Sequence, residues 1–117
     1  MFLLLKLKRG KTERKIASEI KKASSLWART KGLLGSQKLT SQQGLWIHPG
    51  KSIHTIGMTY NIDVIYIDKQ QIVKKLVQNI APFRLSFAAK NTYSVLELQA
   101  GKISESDIRV NDQLIFL

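Results

Sequence analysis

Ile62-Asp63-Val64-Ile65-Tyr66-Ile67 is the stretch on which the fold turns. Five of its six side chains are large and apolar, and the β-branched and aromatic content favours an extended chain. No alternation marks a wet face, so the run predicts a central strand covered on both sides. Asp63 is the exception. An unpaired charge among apolar neighbours is costly, so it requires a partner, with Arg29 and Arg84 as the obvious choices and His54 as a third. The structural reading of Asp63 is a buried ion pair or a turn-capping carboxylate that organises the core.

Extended segments continue on both sides. Upstream, residues 53–58 and 44–48 read as strands, the latter stopped by Pro49-Gly50. Downstream, residues 68–71 turn the chain into a strand over 72–77, and after the Pro82 loop another runs over 93–98 until Ala100-Gly101 breaks it. Ser104-Glu105-Ser106-Asp107 resembles a helix start with an acidic side chain in the capping-box position, and Val110-Asn111-Asp112 turns into a last strand over 113–117. At the amino end Leu3, Leu5 and Leu7 alternate with Leu4, Lys6 and Lys8, giving a strand with one wetter face, and Arg9-Gly10-Lys11 supplies a turn. Residues 12–23 can pair back as a second strand, although the Ile16/Ile20 spacing also fits a helical turn. Ser24 or Ser25 caps a short helix over 26–31 that Gly35 ends.

Six to eight short strands with one or two brief helices predict a mainly β (α+β) fold: a small compact β-barrel or a strongly curved antiparallel sheet. A chain of 117 residues supports one core, so residues 1–117 are expected to form a single domain. With 44% hydrophobic and 23% charged residues, the chain lies outside the disordered regime. It has no cysteine, which excludes disulfides, thiolate metal sites and thiol nucleophiles. Lys6 and Lys8 interrupt the opening apolar run before a signal sequence could form, and no stretch approaches the roughly 18 apolar residues of a membrane span, so a cytoplasmic location is expected.

The formal net charge is +11, and residues 1–38 hold eleven Lys and Arg against Glu13 and Glu19. This asymmetry points to a polyanion, either nucleic acid or an anionic surface, held by Lys6, Lys8, Arg9, Lys11, Arg14, Lys15, Lys21 and Lys22. The competing reading is a solvated face that keeps the protein soluble.

Several phrases together carry a family resemblance. These are the 23–35 stretch with Arg29 and its Gly32-Leu33-Leu34-Gly35 ending, Ile53-His54-Thr55-Ile56-Gly57-Met58 followed by Ile62-Asp63-Val64, and Leu96-Glu97-Leu98-Gln99-Ala100-Gly101. Ile108-Arg109-Val110-Asn111-Asp112 and Pro82-Phe83-Arg84 belong with them. In order and spacing they resemble the bacterial and archaeal family of domain of unknown function 192, from about residue 16 to the end. Two departures stand out. Gly50 occupies the place where such relatives often have Cys, and Asn111 replaces a usual Gly, a mild change because Asn tolerates positive φ. The family has no established activity, so the resemblance bears on fold more than on function.

The pocket expected from these residues is polar, suited to a small anion or sugar, and built from Arg29, His54, Asp63, Arg84 and Glu97 with Thr55 and Met58 of the His-Thr-x-Gly-Met motif. On a strand His54, Ile56 and Met58 would share one face, a geometry that invites a soft metal. His48 is the only other histidine, however, and no metal or cofactor is expected. Asp63 and Glu97 with His54 would also serve a hydrolase-like enzyme as acid and base, but no nucleophile elbow, phosphate loop or zinc motif accompanies them. Trp27 and Trp46 read as core rather than stacking platforms, and Gly32, Gly35, Gly57 and Gly101 as backbone requirements. The expectation is a non-enzymatic small-ligand-binding or accessory domain with a small ligand or a protein as partner. The polyanion binder and the hydrolase-like enzyme stand as alternatives.

Overall fold

The alternating leucines place the first strand. The structure is a computed structural model that describes residues 1–25, 28, 32, 33, 35 and 37–117. In β1 (Leu3–Arg9), Leu5 and Leu7 are buried while Lys8 stays exposed. Gly10, at φ +61°, turns the chain into β2 (Thr12–Ala23), which pairs antiparallel with β1. Residues 12–23 are therefore strand and not helix. A bulge sets Leu5 against Ala17 but Lys6 against Lys15, and the extra residue lets the neighbours Ile16 and Ala17 both be buried.

The remaining elements are β3 (Gln43–Ile47), β4 (Ser52–His54), β5 (Ile62–Ile67), β6 (Val73–Ile80), β7 (Leu85–Phe87), β8 (Ser94–Gln99), a one-turn helix α1 (Lys102–Glu105) and β9 (Gln113–Phe116). Seven strands form one sheet in the order β6-β5-β8-β3-β2-β1-β9, and β4 and β7 make a separate two-stranded ribbon. Every neighbouring pair in the large sheet is antiparallel except β2 and β3, which run parallel across the long 24–42 crossover. The expected purely antiparallel sheet is corrected at that pair.

The sheet is also not closed into a barrel. Its edge strands touch only at the Ile72–Gln113 bridge, where the Val73 N–H donates to Asp112 O (2.9 Å) and the Leu114 N–H to Gln71 O (2.9 Å). Strong curvature thus brings the edges together at one end without pairing them along their length.

As the Ile62–Ile67 run requires, β5 is buried throughout. Ile65 and Ile67 join Leu5, Leu7, Ile20, Trp46, Leu96, Leu98 and Leu114 on one face, with Ile103 of α1 packed there. Ile62, Val64 and Tyr66 join Leu45, Ile47, Ile53, Met58 and Val95 on the other. Trp46 is core, as expected, with its indole N–H donating to Ser94 Oγ (3.0 Å) and its ring stacked on Phe116. Gly44 is the tightest point of the sheet, because a Cβ there would lie 2.8 Å from both Ile20 Cδ1 and Leu98 Cδ2.

Three local expectations change. The 53–58 strand ends at His54, since Gly57 at φ +86° and a Met58 N–H to Thr55 O bond (3.1 Å) turn the chain. The helix expected at Ser104 starts at Lys102 behind Gly101 at φ +93°. The loop expected after Pro82 contains β7, a strand too short to show a period-two pattern. The helix expected over 26–31 lies, apart from Ala28, outside the described residues; the Ala28 N–H donates to the Ser25 hydroxyl (3.0 Å), the bond a Ser25 cap requires, and the Gly32 N–H donates to Ala28 O (3.0 Å). Arg29 and Trp27 lie outside the described residues. Among the described residues no helix is long and apolar enough to cross a membrane.

Candidate functional site

Among the described residues, which leave out Arg29, Asp63 finds its partners in backbone N–H groups. Its Oδ1 accepts from the Asn79 N–H (2.8 Å) and its Oδ2 from the N–H groups of Gly101 (3.1 Å) and Ile103 (2.9 Å). The carboxylate thereby ties β5 to the end of β6 and caps the first turn of α1. The capping carboxylate is the member of the expected pair that matches. Neither Arg84 nor His54 reaches it among these bonds.

The His-Thr-x-Gly-Met phrase is a structural knot. Thr55 is fully buried, and its hydroxyl donates to Ala81 O (2.6 Å) and accepts from the Arg84 N–H (2.8 Å). Its own N–H donates to Arg84 O (2.9 Å), and its carbonyl accepts from the N–H groups of Met58 (3.1 Å) and Phe83 (3.0 Å). Because the chain turns here, His54 is exposed and Met58 is buried, so the shared His-Met face does not form. No group of three metal-ligating side chains occurs among the described residues. Arg84 is exposed as well.

Glu97 belongs to a different place. In β8 it pairs with Val64 and Leu45, whereas Asp63 pairs with Leu98, so the two carboxylates project from opposite faces of the sheet. They do not converge as an acid and base pair would. Glu97 is only 3% exposed, and burial pushes its carboxyl up to about 7.

Around Glu97 stand groups that the sequence reading missed. The Tyr60 hydroxyl is buried without a hydrogen-bond partner, and burial followed by the Glu97 charge raises its pKa. Tyr66 donates its hydroxyl to Ser86 Oγ (2.6 Å) and is also raised, chiefly by burial. Ser86 reaches in from the ribbon strand β7. A Cβ placed on Gly32 would lie 3.7 Å from Glu97 Oε1. Gly32 and Leu45, both neighbours of Glu97, also line a cleft of about 470 Å³ with Ala28, Leu33, Leu39 and Lys21, a volume within the small-ligand range.

Most of the eight basic candidates at the amino end lie along the β1–β2 hairpin, where Lys6 stands opposite Lys15. Arg9 forks onto Asp112 (2.7 and 2.8 Å) and reaches Asp107 (3.3 Å), holding the Asp112 carboxyl below the usual carboxylate range. Arg14 donates to the carbonyls of Ser106 and Asp107, and Lys6 pairs with Glu13 (3.4 Å). Lys22 lies over the Trp46 ring, while Lys21, next in the strand, lines the cleft on the other face. Lys8, Lys11 and Lys15 are exposed.

Two solved structures share the fold. A protein of unknown function from Novosphingobium aromaticivorans DSM 12444 superposes with a TM-score of 0.83 at 18% identity, covering 96% of this chain and 83% of that one. A protein from Sinorhizobium meliloti 1021, described as a "putative transcription regulator", gives a TM-score of 0.86 at 15% identity, covering 97% of this chain and 92% of that one. No curated protein matches the chain in sequence. The sequence profile of the DUF192 family, described as an uncharacterised ACR, matches residues 6–116. With the motifs in order and the fold in agreement, the chain belongs to the DUF192 family.

Proposed function

We propose that the 117 residues act as one non-enzymatic domain that binds a small polar ligand in the cleft beside Gly32 and Leu45, with Glu97 at its back. One observation carries the reading: the Tyr60 hydroxyl is held out of water with no hydrogen-bond partner, and the charge of the buried Glu97 carboxyl reaches it. Buried polar groups are nearly always satisfied, and an unsatisfied hydroxyl next to a buried carboxyl is the footprint of a group that a ligand completes. A carboxyl near 7 and a phenol offer both acceptors and donors, which suits a sugar, a polyol or an amine better than the anion first expected. His54 and Arg84 are exposed and do not line this cleft, whose charged lining is Glu19 with Lys21 and Lys38.

A thermal-shift and calorimetric screen of sugars, polyols and amines tests this, with Tyr60→Phe and Glu97→Gln as controls. A compound that stabilises the wild type and loses its effect in both variants supports the reading. Failure of all three classes, or equal stabilisation of wild type and variants, overturns it.

The polyanion reading keeps one supporting observation, the +9 balance of residues 1–38, to which the description of the Sinorhizobium relative adds. Titration with single- and double-stranded nucleic acid, comparing the wild type with a variant neutralised at Lys8, Lys11 and Lys15, decides it. Specific use of this surface predicts binding that survives physiological salt and weakens in the variant.

A further inference from the structure

Among the described residues, the most water-exposed large apolar side chains away from the termini cluster on one small element. Leu85 (64%) and Phe87 (67%) alternate outward along β7 on either side of the inward Ser86. Ile56 (52%) and Phe83 (66%) lie in the turns that Thr55 holds together. Phe83 sits at φ +61°, a conformation in which a bulky residue is strained. The bonds from its N–H to Thr55 O and from the next N–H to Thr55 Oγ1 keep it there, so the fold expends strain to hold an aromatic ring in solvent.

Charge completes the pattern. Residues 49–93 contain six cations and only two carboxylates, Asp63 and Asp68. Asp63 is buried on the far face of the sheet, and Asp68 accepts from the Gln70 and Ile72 N–H groups and pairs with Lys74. Beside the ribbon lies a concavity of about 480 Å³ lined by Lys51, Phe87 and Lys90. It shares Lys51 with a second of about 610 Å³ that adds Lys69 and Lys74. An apolar rim bordered by lysine-lined hollows, with no free carboxylate between them, complements a surface that is at once apolar and anionic.

We infer that the β4–β7 ribbon is a docking surface for anionic phospholipid bilayers, in which Phe83, Leu85 and Phe87 enter the headgroup boundary while Lys51, Lys69 and Lys90 meet lipid phosphates. A lipid surface meets both requirements without needing a shaped partner. The assignment does not depend on the Glu97 cleft.

Sedimentation with vesicles of phosphatidylcholine alone and of phosphatidylcholine mixed with phosphatidylglycerol tests it. The wild type is expected to bind the mixed vesicles and not the neutral ones, and to be released by salt. The exposed-site variant Phe83→Ser/Phe87→Ser should lower the partition coefficient by about tenfold or more. Lys51→Gln/Lys90→Gln should lower binding while leaving the melting temperature unchanged. Neutralising Lys8, Lys11 and Lys15 should leave most of the binding in place. Absence of binding to mixed vesicles overturns the proposal, as does binding lost only in that amino-terminal variant. Concentration-dependent self-association abolished by Phe83→Ser/Phe87→Ser would also overturn it, because the ribbon would then be an interface between copies or with protein.

Discussion

Replacing Glu97 with Gln should make the protein more stable at neutral and alkaline pH and remove a specific part of its pH dependence. Burial moves the carboxyl from 4.5 to about 7, so the folded state binds a proton that the unfolded chain has already released across that interval. Stability contributed by this group is full below the unfolded value, declines as pH rises through the interval and is lost above about 7. The displacement corresponds to roughly 3 kcal/mol. Part of that remains in the variant, because burying the Gln amide carries a desolvation cost of its own, and a net gain of about 2 kcal/mol at alkaline pH is expected. His48 works in the opposite direction, since burial and then the Lys22 charge lower its pKa and favour the folded state as pH rises. The quantity to read is therefore the difference between wild type and Glu97→Gln, in which His48 cancels. Urea unfolding of both proteins at about pH 4 and about pH 8 gives it. Equal stability at both pH values would refute the claim that Glu97 is held out of water, and with it the main support for the cleft.

Asp63→Ala leaves three backbone N–H groups without their acceptor, and a loss of about 3–5 kcal/mol in urea unfolding is expected, with a loss below about 1 kcal/mol counting against the capping role. Gly44→Ala forces a methyl against Ile20 and Leu98 and should cost about 1–3 kcal/mol, read from the same transition. Arg9→Gln releases Asp112 from the guanidinium that lowers its pKa. Stability from that pair is present above the unfolded carboxyl value and lost as pH falls through the folded one, so the variant should show a flatter acid limb in thermal melts.

What the sequence made legible was governed by side-chain periodicity. The Leu5 and Leu7 alternation and the unbroken Ile62–Ile67 run placed β1 and β5, and Asn111 at φ +79° takes the backbone form that its replacement of Gly allowed. Periodicity failed where elements are shorter than two periods. Leu85-Ser86-Phe87 faces water with its apolar residues and the core with its serine, the reverse of the usual pattern. The partners of Asp63 were hidden for another reason, because backbone N–H groups have no letter in the sequence, so side-chain cations were sought instead. Glu97 was named, but Tyr60, Tyr66 and Ser86 gather around it only through the pairing of β5 with β8 and the folding back of β7. Neither can be read from local spacing.

The opposite orientation of Asp63 and Glu97 has a consequence for how the sheet finds its alignment. In a strand buried on both sides, sliding by one residue exchanges Val64 for Ile65 and Tyr66 for Ile67, and hydrophobicity barely distinguishes the two arrangements. The carboxylate does distinguish them. A one-residue slip of β5 would carry Asp63 to the Tyr66 side, away from the N–H groups of Gly101 and Ile103, leaving a charge and its former donors stranded together. In a run of near-interchangeable apolar residues, one aspartate thus acts as the key that admits a single alignment.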